Sequence, residues 1–133
     1  MAWSFNVIYN IISWLHPFVK VVTTMKSMLV EESATLIIWR EILLKQIQLT
    51  VFGNVQGVGF RYFSQMKAVQ YGVKGFVRNQ TDGSVKIIVE GTQDQLSLFI
   101  EDVRKGNPFS KVDDILVEES NKFDGYTSFM IKY

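Results

Sequence analysis

The 133-residue chain has no cysteine and a single histidine, His16. Disulfides, thiolate nucleophiles and cysteine-metal sites are thereby excluded. One histidine cannot supply the multi-histidine cluster that most zinc enzymes need, and neither a metal nor a cofactor is expected. Charge of one sign is also lacking: the formal net charge is +1. No sustained basic field is available to hold a nucleic-acid backbone, so nucleic acid is not an expected partner. An uninterrupted hydrophobic run is missing as well. The apolar stretch over residues 1–22 is broken by Ser4, Asn6, Asn10, Ser13, His16 and Pro17. It is shorter and more polar than a membrane span, and it lacks the basic start and small-residue cleavage site of a secretory signal.

The length suits one domain with a real core and is too short for two of ordinary size. A composition shift divides the chain. Trp3, Trp14 and Trp39 all precede Lys45, whereas every glycine lies at or beyond Gly53. We read residues 1–44 as an apolar, aromatic-rich extension and residues 45–133 as the folded domain. For residues 1–22 two readings stay open, a tail without a role of its own or a segment that seeks a membrane surface or self-association. A short helix is expected from the spacing of Leu36, Trp39, Leu43 and Ile47. The missing export signal gives a cytoplasmic expectation.

From Gln46 the period changes. Ile47, Leu49 and Val51 alternate with polar residues, which predicts a half-buried strand ending at Phe52. Phe60, Phe63, Met66 or Lys67, and Val69 or Gln70 give a helical spacing that Gly72 ends. Strands are predicted over residues 73–79 and 85–90, joined through the hairpin signal Asp82-Gly83. Thr92 and Gln95 form a capping-box pattern ahead of Leu96, Phe99, Ile100 and Val103, and Gly106 stops that second helix. Residues 112–120 and 126–133 close the chain as strands. This βαββαβ order, with a short extra C-terminal strand, predicts a ferredoxin-like two-layer α/β (α+β) fold with helices on one face of a mostly antiparallel sheet.

Two stretches carry chemistry. In Val51–Arg61, VFGNVQGVGFR, a strand passes through a glycine-rich loop straight into a helix. Glycine permits positive φ and close approach to the backbone, so successive N–H groups can converge beside the positive end of the helix and hold an anion. Arg61 falls in the first helical turn, where the helix dipole disfavours a cation unless an anion sits between them. Such turns also arise for packing reasons, and the residues alone leave both readings open. The loop lacks the Gly-Lys-Ser/Thr ending of a P-loop, and no acidic ribose reader follows at the dinucleotide spacing, so nucleotide use is not expected. In the second stretch, GFVRNQTDGSVKIIVEG, Asn79 offers a donor and an acceptor able to orient a water, or serves simply as a turn residue. Arg78, its neighbour in a strand, points to the other face. Asp82 reads as turn chemistry, and Asp113 and Asp114 as solvent-facing residues at a strand start.

Together the two stretches resemble the acylphosphatases, small enzymes that hydrolyse the carboxyl-phosphate bond of acyl phosphates. The likeness spans residues 45–133. One family signature is present as Val51, Gly53, Val55, Gln56, Gly57, Val58, Phe60 and Arg61, and a second as Gly75, Phe76, Val77, Arg78, Asn79, Gly83, Val85 and Gly91. The resemblance implies that Arg61 binds phosphate with backbone amides of Asn54, Val55, Gln56, Gly57, Val58, Gly59 and Phe60, and that Asn79 orients the attacking water. It implies an acyl phosphate as substrate, inorganic phosphate as product, and no metal, cofactor or covalent intermediate. The extension over residues 1–44 departs from the family pattern. Two other readings compete. One is a non-catalytic phosphate-binding or regulatory module of the same fold, as in carbamoyl-transfer maturation proteins. The other is an RNA-binding module presenting Phe52 and Phe76 for base stacking.

Overall fold

The computed structural model describes residues 43–133. The expectations for the 1–22 stretch, and for most of the short helix after it, lie outside these residues. Leu43 is helical, but Ile47 is already in a strand and buried, so the proposed helical run does not extend to it. The elements are β1 (Leu44–Asn54), α1 (Phe60–Tyr71), β2 (Lys74–Asn79), β3 (Val85–Thr92), α2 (Gln93–Lys105), β4 (Lys111–Ser120) and β5 (Phe129–Lys132). The five strands form one sheet in the order β4-β1-β3-β2-β5. β1 runs antiparallel to β3 and β4, and β2 antiparallel to β3. Only β5, added at the edge, lies parallel to its neighbour β2. This is the ferredoxin-like order read from the sequence.

The strand alternation sorts the faces as expected. Ile47, Leu49 and Val51 of β1 face the helices with Val85, Ile87 and Val89 of β3 and Val77 of β2, all buried. Leu96, Phe99 and Val103 of α2 close over them, and its capping box is complete: Gln95 N donates to Thr92 Oγ1 at 3.3 Å, and Thr92 N to Gln95 Oε1 at 2.9 Å. The hairpin turn also matches its reading, with Gly83 at φ 91°.

α1 packs differently from its apolar spacing. Its buried residues are Phe60, Ser64 and Ala68, four apart, while Met66 is 48% and Val69 73% exposed. Small residues at the middle of the stripe allow the helix to lie close to the sheet, and Ser64 Oγ is satisfied by donating to Phe60 O at 2.9 Å. Phe63 packs at the margin of the core. A stripe built from serine and alanine is invisible to a count of large apolar residues.

The last connection was not foreseen. β4 and β5 sit at opposite edges of the sheet, so residues 121–128 must pass across the face away from the helices. Glu90, only 3% exposed, clamps that passage. Its carboxylate accepts from the backbone N–H groups of Asp124 at 2.6 Å, Gly125 at 3.3 Å and Tyr126 at 2.9 Å. Gln46 Nε2, opposite Glu90 in the β1–β3 register, donates to Glu90 at 2.8 Å and to Asp124 Oδ2 at 2.7 Å. Four charge-assisted bonds offset the cost of burying the carboxylate. Because the amides of 124–126 are committed to Glu90, the final strand is shorter than the expected 126–133 segment and begins at Phe129.

The two helices are joined by a small polar bridge. Tyr71 Oη donates to Asp102 Oδ2 at 2.6 Å, and Lys67 Nζ lies 3.0 Å from the same oxygen. The tyrosine hydroxyl first, and then the lysine, hold the Asp102 carboxyl below its ordinary value. A group whose pKa is lowered on folding stabilises the fold above its unfolded pKa, about 3.9 for aspartate, and this contribution is lost as pH falls through the folded value. D102N should therefore unfold at lower urea than wild type near neutral pH, and the two midpoints should converge below about pH 3.9. A gap that stays constant into acid would mean that the carboxylate charge contributes nothing.

Candidate active site

The site starts where β1 leaves the sheet. The β1–β4 register shifts between Phe52 and Gly53, and Gly53 sits at φ 130°. A Cβ there would fall on the carbonyl oxygen of Lys111, so glycine alone fits the bulge. Beyond it β1 continues through Asn54, opposite Lys111, rather than ending at Phe52 as its alternation suggested. Gly57 and Gly59 then adopt left-handed φ of 71° and 74°. Gly59 occupies the N-cap of α1 with no side chain to cap it, and no acidic residue lies in the first turn. The first i to i−4 bond is Phe63 N to Gly59 O at 3.0 Å, which leaves the N–H groups of Phe60, Arg61 and Tyr62 without helical acceptors. An uncapped helix start with three donors and a positive pole is chemically suited to an anion.

Side chains from elsewhere fix the loop. Gln56 Nε2 donates to the carbonyls of Gln80 at 2.8 Å and Ser84 at 2.9 Å, tying the loop to the β2–β3 hairpin. Asn107 Nδ2, from the turn after α2, donates to Val58 O at 2.8 Å. The hairpin is itself held by Asp82, whose Oδ1 accepts from Ser84 N at 2.9 Å and Ser84 Oγ at 2.6 Å. Those bonds from Ser84 keep the Asp82 carboxyl below its usual range, consistent with its reading as turn chemistry.

A cavity of about 180 Å³ opens over the start of α1. Val55, Gly57 and Gly59 line it from the loop, Phe60, Arg61 and Tyr62 from α1, Asn79 from the end of β2, and Ile131 and Tyr133 from the C-terminal end. Arg61 and Asn79, 18 positions apart in the chain, thus share one cavity. Arg61 has no carboxylate partner among the described residues. Its Nη1 donates to Lys132 O at 3.4 Å, and its guanidinium lies 4.7 Å from the centre of the Tyr133 ring. Asn79 Oδ1 is buried and accepts no hydrogen bond. An orphaned buried acceptor is costly, and this one belongs to a residue that lines the cavity.

The other residues named from sequence divide. Val55, Gly57, Gly59 and Phe60 line the cavity, whereas Asn54, Gln56 and Val58 do not. Asn54 belongs to the β1–β4 ladder, the Gln56 side chain is turned into the hairpin, and Val58 packs against the core. Arg78 is exposed and outside the cavity lining, and Asp113 and Asp114 are exposed on β4. No cluster of three His, Cys, Asp or Glu side chains occurs among the described residues. The base-stacking reading loses its platform, because Phe76 is buried edge-on against Tyr126, with Lys132 Nζ 3.9 Å from its ring centre. Sequence reasoning missed Gln56 as a tether, Asn107 as a brace, and Tyr62 and the C-terminal pair Ile131 and Tyr133 as walls. Nothing local marks these, since each acts across 24 or more positions or by position at the rim.

The acylphosphatase family model matches residues 47–131. The chain belongs to the acylphosphatase family. The acylphosphatase of Bacillus licheniformis is 49% identical over 88 residues, covering 66% of this chain and 98% of that protein. The crystal structure of acylphosphatase from Bacillus subtilis superposes with a TM-score of 0.65 at 49% identity, covering 68% of this chain and 99% of that one. A structure of full-length HypF, in its phosphate- and nucleotide-bound form, gives a TM-score of 0.61 at 37% identity over 68% of this chain, but only 12% of that protein is matched. In keeping with its family, the chain hydrolyses acyl phosphates to a carboxylate and inorganic phosphate.

The tether predicts a measurable coupling between loop and hairpin. Gln56→Ala removes two side-chain hydrogen bonds and should lower stability by about 1–3 kcal/mol in urea unfolding. It should also weaken competitive inhibition by inorganic phosphate. Wild-type values for both would show that the loop holds its shape without Gln56.

Proposed function

We propose that the acyl phosphate binds with its phosphoryl group on the N–H groups of the loop and of the first turn of α1, that Arg61 clamps the phosphoryl oxygens, and that Asn79 places the attacking water. The observation that carries this division is the buried, unpartnered Oδ1 of Asn79, a residue that lines the same cavity as Arg61 and the start of α1.

The chemistry asks little more of the protein. Arg61 is forked and permanently charged, and the amides around it are fixed before substrate arrives, so negative charge on the phosphoryl oxygens is met without reorganisation. Asn79 Oδ1 accepts a hydrogen bond from water, which directs a water lone pair at phosphorus opposite the acyl oxygen. The new bond forms between the water oxygen and phosphorus while the bond from phosphorus to the acyl oxygen breaks. The pair of electrons leaves on the carboxylate, a stable anion that needs no proton. The proton lost by water is taken by a phosphoryl oxygen. No side chain is required as a general base, and Asp82, Asp113 and Asp114 are not in the cavity lining.

Arg61→Ala should abolish inhibition by phosphate and lower kcat/KM by at least on the order of a hundredfold, the scale of a lost oxyanion donor. Asn79→Ala should lower kcat on a comparable scale while the inhibition constant for phosphate stays near wild type. Both are read with a simple acyl phosphate in the presence of EDTA. An equal loss of phosphate inhibition in the two variants would overturn the division of roles.

A further inference from the structure

We infer that Tyr62 and Tyr133 form the acyl-group subsite and that this enzyme favours flat aryl groups over short aliphatic ones. The inference rests on the phosphoryl seat proposed above and extends it to the other half of the substrate.

With the phosphoryl group on the amides at the start of α1, the acyl group extends toward the exposed part of the cavity lining. The inner wall is closed by Val55 and Phe60, each 1% exposed. The exposed members of the lining are Gly57, Gly59, Tyr62 and Tyr133. The two glycines have no side chain, and nothing lies within 4 Å of where a Cβ on Gly57 would be. A group projecting from the mouth therefore meets two tyrosine rings, 62% and 97% exposed.

These rings are not otherwise employed to the same degree. Tyr133 carries the Arg61 guanidinium at 4.7 Å from its ring centre and so has a role in placing the phosphate ligand. Tyr62 has no ring contact or hydrogen bond within the described residues, and nothing in the core depends on it. A large, exposed aromatic side chain at the mouth of a polar cavity offers a flat apolar face that water covers poorly. Besides Arg61 the lining has no charged side chain, so a charged acyl group finds no second partner. An aryl ring gains stacking and burial against these rings, whereas an acetyl group has no flat face to stack.

Tyr62 is the cleaner probe, because substitution of Tyr133 also disturbs Arg61. Steady-state kinetics of the full chain would compare benzoyl phosphate with acetyl phosphate for wild type, Tyr62→Ala, Tyr62→Phe and Val69→Ala, the last on the outer face of the same helix. Wild type should have the higher kcat/KM for benzoyl phosphate. Tyr62→Ala should reduce that preference on the order of two- to tenfold, chiefly through a raised KM for the aryl substrate. Tyr62→Phe and Val69→Ala should keep it. A preference unchanged in Tyr62→Ala, or a loss shared equally by both substrates, would overturn the subsite. Hydrolysis of neither substrate by wild type would defeat the acyl-phosphate reading first, and the subsite with it.

Discussion

An uncapped helix start with an arginine in its first turn is the constraint around which this fold is arranged. The N–H groups of Phe60, Arg61 and Tyr62 point out of α1 with no acceptor, Gly59 brings no capping oxygen, and no acidic side chain balances the dipole. Arg61 adds a full positive charge to a pole already positive. Without a ligand this is a local instability of the kind that sequences usually remove with serine, threonine or aspartate at the N-cap. α2 of the same chain shows the ordinary solution, a complete Thr92–Gln95 capping box. One helix is closed by a capping box and the other starts without one.

Keeping that pole open requires support from outside the helix. Arg61 is held at the C-terminal end by the Lys132 carbonyl and the Tyr133 ring, so β5 must be docked for the arginine to be in place. β5 reaches its edge position only because residues 121–128 cross the sheet, and Glu90 with Gln46 fastens that crossing to the face away from the helices. On the other side, Gln56 couples the loop to the hairpin that follows Asn79. Arg61 and Asn79 are thus set by separate scaffolds, one through β5 and one through β2, which meet at the cavity.

Much of this was legible in the sequence, and the boundary of legibility is physical. Alternation of Ile47, Leu49 and Val51, the Thr92 capping box and the Asp82-Gly83 turn are local patterns, and each appears where its pattern put it. Arg61 and Asn79 could be paired only through the two signatures, because nothing in their separate neighbourhoods says that they share a cavity. The buried stripe of α1 escaped notice because Ser64 and Ala68 achieve close packing with little apolar area. Glu90 escaped because a carboxylate in a strand reads as a solvent-facing residue until a crossing segment presents three amides to it. The tether from Gln56 and the brace from Asn107 join positions far apart in sequence, and side-chain bonds to distant carbonyls leave no periodic trace.

The sparse chemistry of the site follows from its substrate. Hydrolysis of a phosphate ester requires help for a poor alkoxide leaving group, usually from a positioned acid or a metal. An acyl phosphate expels a carboxylate, which is stable as an anion at neutral pH. What remains is to bring water and phosphorus into line and to meet the charge on the phosphoryl oxygens, tasks that fixed dipoles and one guanidinium perform. A cavity lined by one cation, one amide side chain, backbone N–H groups and aromatic rings is matched to that reaction and poorly suited to harder ones.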